Sequence, residues 1–440
     1  MRCSAIVLGL LLLPLVARAQ DTTRAIDRGV RVGITYTPGM RPSIMVLPAP
    51  ALDSVRAIIL RDLDYSDRFD VIGVPNTVAS PARGGQQGAT TALNYALYRT
   101  FGANYGVEIA PSGREIVVRL HDLNLGAMKQ EAHAAIPDPG TPGFRMAVHQ
   151  MSDQIVRWVT GTSGVAATQL LYISNKRVYR IDSDGENAVA ITGETEEPLS
   201  PAWSPDGRRI AYTQFTAGKG PIVVLTLATG QRTIVPSTGK DLNITPVFAP
   251  DGRTLAFARV TEEGTDIYSA DIADACCVQR LTVGRFADNL SPTYSPDGRQ
   301  IAFVSTRAGL PQIYVMATDG TDQELFAPFD YGVTGSSNAP DWSPDGTSVV
   351  FHREVSRSPQ LFVLDVASRR VRQLTSTGRN EDATWAPDGR HLAFVSDRSG
   401  RRLLWVIDVE TGRIRQLTTS AAARLPAWSR GSPGSMPGPR

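Results

Sequence analysis

Apolar residues change their spacing several times over the first third of the chain. Val30, Val32, Ile34 and Tyr36 alternate with Arg31, Gly33 and Thr35, the period of a strand with one apolar face. Ile44 to Leu47 reads as a short buried strand. Asp53 is placed to cap a helix through Val55, Ile58, Ile59 and Leu63. Phe69 to Ile72 is another strand, and Leu93, Ala96, Leu97 and Phe101 outline a second helix. Strands around Tyr105 to Ile109 and Glu115 to Leu120 flank Pro111-Ser112-Gly113, a hairpin signal. Phe144, Val148, Met151, Ile155 and Val159 share one face of a last helix, which Gly161 ends. Ser80 to Gln87 and Pro137 to Gly143 read as surface loops. The pattern predicts an α/β domain over residues 20–163 that begins with an extended segment.

From about residue 168 the pattern becomes a repeat. An aromatic residue followed by Ser-Pro-Asp-Gly, or a near copy, recurs at Trp203, Phe248, Tyr294, Trp342 and Trp385, at intervals of 45, 46, 48 and 43 residues. Seven residues after each aromatic a short apolar strand begins, at Ile210, Leu255, Ile301, Val349 and Leu392. Two residues later stands a second aromatic: Tyr212, Phe257, Phe303, Phe351 and Phe394. These offsets hold while the full period varies, so the fixed part is a tight hairpin and the variable part is loop. Proline presets φ and Asp-Gly supplies the turn. A third strand and a fourth, ending in pairs such as Leu374-Thr375, complete one propeller blade per repeat. The two ends of the array are complementary fragments. Leu170 to Ser174 matches the strand after the turn, and Leu425 to Ser429 matches the strand before it. Joining them closes the ring at six blades and leaves no exposed central edge. The predicted architecture is an α/β N-terminal domain plus an all-β six-bladed β-propeller over residues 164–430, closed by the C-terminal strand, with a flexible tail over 431–440.

The first nineteen residues differ from both parts. Arg2 precedes an apolar run from Ala5 to Val16, and Ala17-Arg18-Ala19 places small residues at the two positions a signal peptidase reads. The run is too short for a membrane-spanning helix, which takes about 20 apolar residues. An exported chain without a membrane span is expected. Loss of Arg2 and Arg18 leaves 43 basic and 43 acidic residues, so no basic surface for nucleic acid is expected. Cys276 and Cys277 are adjacent and read as two unpaired thiols in a turn, so no disulfide framework is expected.

Candidate chemistry is sparse. There is no Gly-x-Ser-x-Gly elbow, zinc-type histidine pair or phosphate-cradling glycine loop. Asp206, Asp251, Asp297, Asp345 and Asp388 occur once per blade at equivalent turns, too far apart around a ring to converge on one substrate. No catalytic residue, metal or cofactor is therefore assigned. The alternative is an exported propeller enzyme, a hydrolase or lyase, with its site in the channel.

The aromatic-Ser-Pro-Asp-Gly units resemble those of the TolB family. So do Ile301-Ala302-Phe303-Val304-Ser305, Leu392-Ala393-Phe394-Val395-Ser396, the closing Pro426-Ala427-Trp428-Ser429 and the order of leader, α/β domain and propeller. Ile44-Met45-Val46-Leu47-Pro48 and the helix before Gly161 extend the resemblance into the first domain. It implies a periplasmic, non-enzymatic component of the Tol–Pal system, binding the peptidoglycan-associated lipoprotein Pal, the protein TolA and other outer-membrane proteins. It also implies roles in outer-membrane integrity, protein transport and envelope constriction during cell division. The family's TolA-binding segment looks like Val30, Arg31, Val32, Gly33, Ile34 and Thr35. The same segment also reads as an edge strand of its own domain. For Pal, the expected surface is the propeller face made by loops between blades and after second strands. It carries Glu197, Asp241, Asn243, Asp288, Asn289, Asn338, Glu381 and Asp382, with Arg307 and Arg398 at matching positions.

Overall fold

A computed structural model describes residues 41–74, 93–141, 143–215, 219–235, 241–273, 277–284, 287–329, 335–419 and 421–431. The leader, the Val30–Tyr36 alternation, the Ser80–Gln87 loop, Cys276 and the tail beyond Gly431 lie outside the described residues.

The N-terminal part is a mixed five-stranded sheet with α-helices at Asp53–Tyr65 and Phe144–Thr160 on one face and the short helix bearing Tyr98 on the other. In chain order it comprises β1 (Ser43–Val46), α1 (Asp53–Tyr65), β2 (Asp70–Val71), α2 (Tyr95–Arg99), β3 (Tyr105–Ser112), β4 (Glu115–Asp122), β5 (Ala127–Ala134) and α3 (Phe144–Thr160). The order across the sheet is β2-β1-β3-β4-β5. β1 is parallel to β2 and β3, because α1 carries the chain back over the sheet before it pairs again. Ile44, Val46, Val107, Val118 and Leu120 from the strands meet Ile59 and Leu63 of α1 and Val148, Ile155 and Val159 of α3. Each such side chain contributes about 1.5–3 kcal/mol on burial. Gly161 ends α3 in the left-handed region at φ 79°, where its amide donates to the Arg157 carbonyl.

Four expectations change here. Asp53 is the first residue of α1 and not its cap, because a 3-10 turn over Pro50–Leu52 leads directly into the helix. There the Asp53 carboxylate still favours the helix N-terminus. The strand around Phe69 is cut to two residues. The second helix has five residues and buries Tyr98, while Leu97 stays 39% exposed. Finally, β5 was not expected, because Ala-Met-Lys-Gln-Glu-Ala is a sequence of helix formers; pairing of seven of its eight residues with β4 overrides that preference.

The C-terminal part is six four-stranded antiparallel sheets. Blade 1 holds Pro198–Trp203, Arg209–Gln214, Ile222–Thr226 and Arg232–Val235, and blade 2 holds Leu242–Phe248, Thr254–Thr261, Gly264–Asp271 and Gln279–Arg280. Blade 3 holds Asn289–Tyr294, Gln300–Ser305, Gln312–Ala317 and Glu324–Leu325. Blade 4 holds Ser337–Trp342, Ser348–Val355, Ser358–Asp365 and Val371–Gln373. Blade 5 holds Asn380–Trp385, His391–Ser396, Leu403–Asp408 and Ile414–Gln416. Blade 6 is built from both ends: Arg424–Trp428 is the inner strand beside Gln169–Ser174, Arg177–Asp182 and Val189–Ala190. Trp428 pairs with Leu170, and its indole N–H donates to Thr168 Oγ1 at 2.8 Å.

Each inner strand carries a bulge. Ser200, Thr245, Ser291, Ala339, Asp382 and Leu425 sit at φ between 49° and 54°, at the register shift of their own strand. None is glycine, and a proline follows five of them. A bulge sharpens the local twist and bends the strand. In the turns that follow, Asp206, Asp251, Asp297, Asp345 and Asp388 each accept the backbone N–H two residues on, the turn role read from the sequence.

Candidate protein-binding face

A propeller has two faces. On one, the first strand of a blade turns into the second and the third into the fourth; the α/β domain packs there, against blades 5 and 6. Asp184, in a turn of blade 6, receives the guanidinium groups of Arg61 and Arg145, and His149 Nε2 lies 3.4 Å away. Reciprocally, Asp67 of the α/β domain receives Arg413 at 3.0 Å and His391 at 3.3 Å from blade 5. Arg390 adds a bond to the Asp67 carbonyl. Burial works against a charge on His391, but the carboxylates of Asp388, Asp67 and Asp408 outweigh it and push the imidazole up to about 9. Asp388 is buried too, yet His391 and two backbone amides hold its carboxyl below the usual range. Asp62, His149 and Asp184 form one carboxylate–imidazole group, and Asp67, His391 and Asp408 form another. In both, arginines occupy carboxylate oxygens, which makes them ion-pair latches rather than metal centres.

Asp153 of α3 holds the start of the propeller. Its carboxylate accepts the backbone N–H groups of Ala166 and Ala167 at 2.8 and 2.9 Å. Burial pushes it up to about 7, against the pull of those two bonds. A Cβ on Gly164 would lie 2.3 Å from the same carboxylate, so only glycine fits there.

The opposite face carries the loops from one blade to the next and those after second strands, and the described residues of the α/β domain leave it uncovered. Glu197, Asp241 and Asp288 lie just before the first strands of blades 1, 2 and 3. Asn338, Glu381 and Asp382 lie within those of blades 4 and 5. Asp288 is exposed, and Glu197, Asp241, Asn338, Glu381 and Asp382 are half-buried. Glu197 pairs with Lys176, and Glu381 with Arg402. Burial pushes the Asp382 carboxyl up to about 6, against the Leu425 N–H and the charge of Arg424.

Asn243 and Asn289 are corrected: both side chains are fully buried, so they face the blades and not a partner. Asn289 donates to Asp266 of blade 2 at 2.9 Å and accepts from Arg307 of blade 3 at 3.1 Å, joining the two sheets. Asn380 does the same between Gln360 of blade 4 and Arg398 of blade 5, at 2.8 Å each way. Asn243 accepts from Arg259 at 2.9 Å. The Arg307 guanidinium lies over Phe303 and Tyr314, and that of Arg398 over Phe394 and Trp405. Burial lowers both arginines. Asn380 and Arg259 were missed. The signal was available in part, since an asparagine opening a first strand precedes its arginine by 18 residues in blades 3 and 5. These bonds hold the rim of the face rigid from blade to blade.

Closed by the strand Arg424–Trp428 and carrying an α/β layer on one face, the molecule is a six-bladed β-propeller protein. Residues 156–328 and 331–433 match the family model described as the TolB beta propeller domain. The chain belongs to the TolB family. It is 30% identical over 256 residues to the Tol-Pal system protein TolB of Xanthomonas oryzae pv. oryzae (strain PXO99A), covering 52% of this chain and 54% of that one. The protein of the same name from Xanthomonas axonopodis pv. citri (strain 306) is 30% identical over 253 residues, covering 52% and 53%. The chain thus spans about half the length of the curated relatives it matches. The crystal structure of TolB from Acinetobacter baumannii shares the fold, with a TM-score of 0.74 at 24% identity over 89% of this chain and 97% of that one. No helix among the described residues is long and apolar enough to cross a membrane.

Proposed function

We propose that this chain is a periplasmic protein-binding scaffold of the Tol–Pal system. It binds the lipoprotein Pal with the uncovered propeller face and TolA through Val30–Thr35, and so supports outer-membrane integrity and constriction at division. The observation that carries this reading is the braced rim: buried Asn289 and Asn380 bond Arg307 and Arg398 at the edge of a face that the described residues of the α/β domain leave open. A preorganised polar surface suits a protein partner, because little loop ordering remains to be done on binding. The reading includes no catalytic, metal or cofactor site. The test is titration of the mature chain with purified Pal and with the TolA C-terminal domain. Asp288→Arg should weaken Pal binding, whereas Arg299→Glu, on the opposite face, should not. Removal of residues 20–36 should abolish TolA binding and spare Pal. Unchanged Pal affinity in Asp288→Arg together with loss in Arg299→Glu would place the site on the other face.

A further inference from the structure

The rim repeats from blade to blade in shape. The Asn–Arg pairs recur in blades 2, 3 and 5, and the inner-strand bulge recurs in all six. A partner recognised by shape alone would meet nearly the same surface at several rotations about the propeller axis. Something must break that pseudo-symmetry, and charge does so.

Blades 2 and 5 stand opposite one another in a ring of six. The turn between second and third strands holds Glu262-Glu263 in blade 2 and Arg401-Arg402 in blade 5, at equivalent positions, and all four residues are exposed. Their surroundings reinforce the contrast. An isolated bridge ties Thr265 to Asp288, so an exposed third carboxylate lies beside the glutamate turn. Around the arginine turn, Arg379 leads into blade 5 and Arg424 opens the inner strand of blade 6, both exposed. The arginine turn is fixed in place, since Arg401 donates to the Thr419 carbonyl at 3.1 Å and Arg402 is paired with Glu381.

We infer that a charge axis across this face, negative at blade 2 and positive at blade 5, sets the rotational orientation of the bound protein. The partner carries a basic patch that meets Glu262 and Glu263 and an acidic patch that meets Arg401 and Arg402. This inference rests on the Pal-binding reading above. Wrong rotations place like charges together and weaken binding, while the right one also steers the encounter.

The experiment is titration of the mature chain with Pal, comparing E262K/E263K, R401E/R402E and the fourfold exchange. Each double reversal should weaken binding about tenfold or more at low salt, whereas the fourfold exchange, which turns the axis round, should bind better than either double reversal. The unmodified chain should lose affinity as NaCl rises from about 50 to about 300 mM, and each reversal should flatten that dependence. The neutral forms E262Q/E263Q and R401Q/R402Q should give intermediate losses, and they guard against a reversal that disturbs folding. Strengthening by one reversal and weakening by the other would show a partner of single sign and overturn the axis. So would no change in either. Binding of the unmodified chain to phosphatidylglycerol vesicles that is lost in R401E/R402E, with Pal binding intact, would reassign the basic end to a membrane surface and also overturn it. Failure of the unmodified chain to bind Pal would instead remove the function proposed above.

Discussion

The imidazole Nε2 of His391 lies 3.3 Å from a carboxylate oxygen of Asp67, across 324 residues of sequence. It is half of a reciprocal arrangement. The α/β domain inserts Asp67 among basic groups of blade 5, and blade 6 inserts Asp184 among basic groups of the α/β domain. Two such points, on neighbouring blades, fix rotation as well as position, which one ion pair would not.

Neutralising either carboxylate should therefore be costly. Asp184→Asn leaves the half-buried Arg61 and Arg145 against an uncharged group, and loss of their charged partner should cost about 1–3 kcal/mol. Denaturant unfolding should show an early transition of the α/β domain in this variant, and limited proteolysis should cut the segment near Gly164 faster. A variant with the unmodified midpoint would refute the latch.

Two groups make stability fall as pH rises. His391 is raised from its ordinary 6.5 to about 9, so its contribution is complete below about 6.5 and is lost as pH climbs through about 9. Asp153 is raised from 3.8 to about 7, so the folded state holds that proton more tightly and loses stability as pH climbs from about 4 through 7. A tenfold difference in proton affinity between the folded and unfolded chain corresponds to about 1.4 kcal/mol. Urea midpoints of Asp153→Asn should show a flatter profile between about pH 4 and 7, and those of His391→Gln a flatter one between about pH 6.5 and 9. Profiles parallel to that of the unmodified chain would contradict both assignments.

Gly185 sits at φ 90°, and a Cβ there would lie 2.4 Å from the Leu417 carbonyl of the preceding blade. Gly320 repeats this contact against Leu281. Gly412 also has positive φ, but its added Cβ would meet open space. Gly185→Ala should cost about 2–4 kcal/mol by strain plus overpacking, and Gly412→Ala only about 1 kcal/mol. Thermal denaturation of the two variants side by side checks the difference.

Trp428 is 3% exposed and packs in the cluster between blades 5 and 6. Trp428→Ala should cost about 3–5 kcal/mol, and more if the strand detaches. Hydrogen exchange should then accelerate along Gln169–Ser174, the strand it covers, before it does so elsewhere in the ring.

The propeller was legible because its turn residues recur at fixed offsets from aromatic core positions, so five copies report one hairpin. Closure was legible because each end of the array lacked what the other possessed. The α/β domain was read less well where pairing, not propensity, decides: β5 has helix-forming residues, and α2 buries Tyr98 through contacts that a five-residue helix does not encode. Asp388 was read as a turn residue, which it is, but its second role needs His391 and Asp67, and no local pattern brings Asp67 near. Asn289 and Arg307 were singled out as a surface pair. Their polarity was visible, whereas the burial of Asn289 beside Asp266 depends on how neighbouring sheets meet, and Arg307 stays exposed over Phe303.

Because blade 6 takes its innermost strand from Arg424–Trp428, the ring is closed only when that segment docks beside Gln169–Ser174. Gln169–Ser174 is made early and waits with an open edge for a segment some 250 residues later. Without Arg424–Trp428, Leu170, Leu171 and Ile173 would lie in a strand with an unpaired inner edge, a template for pairing with another chain.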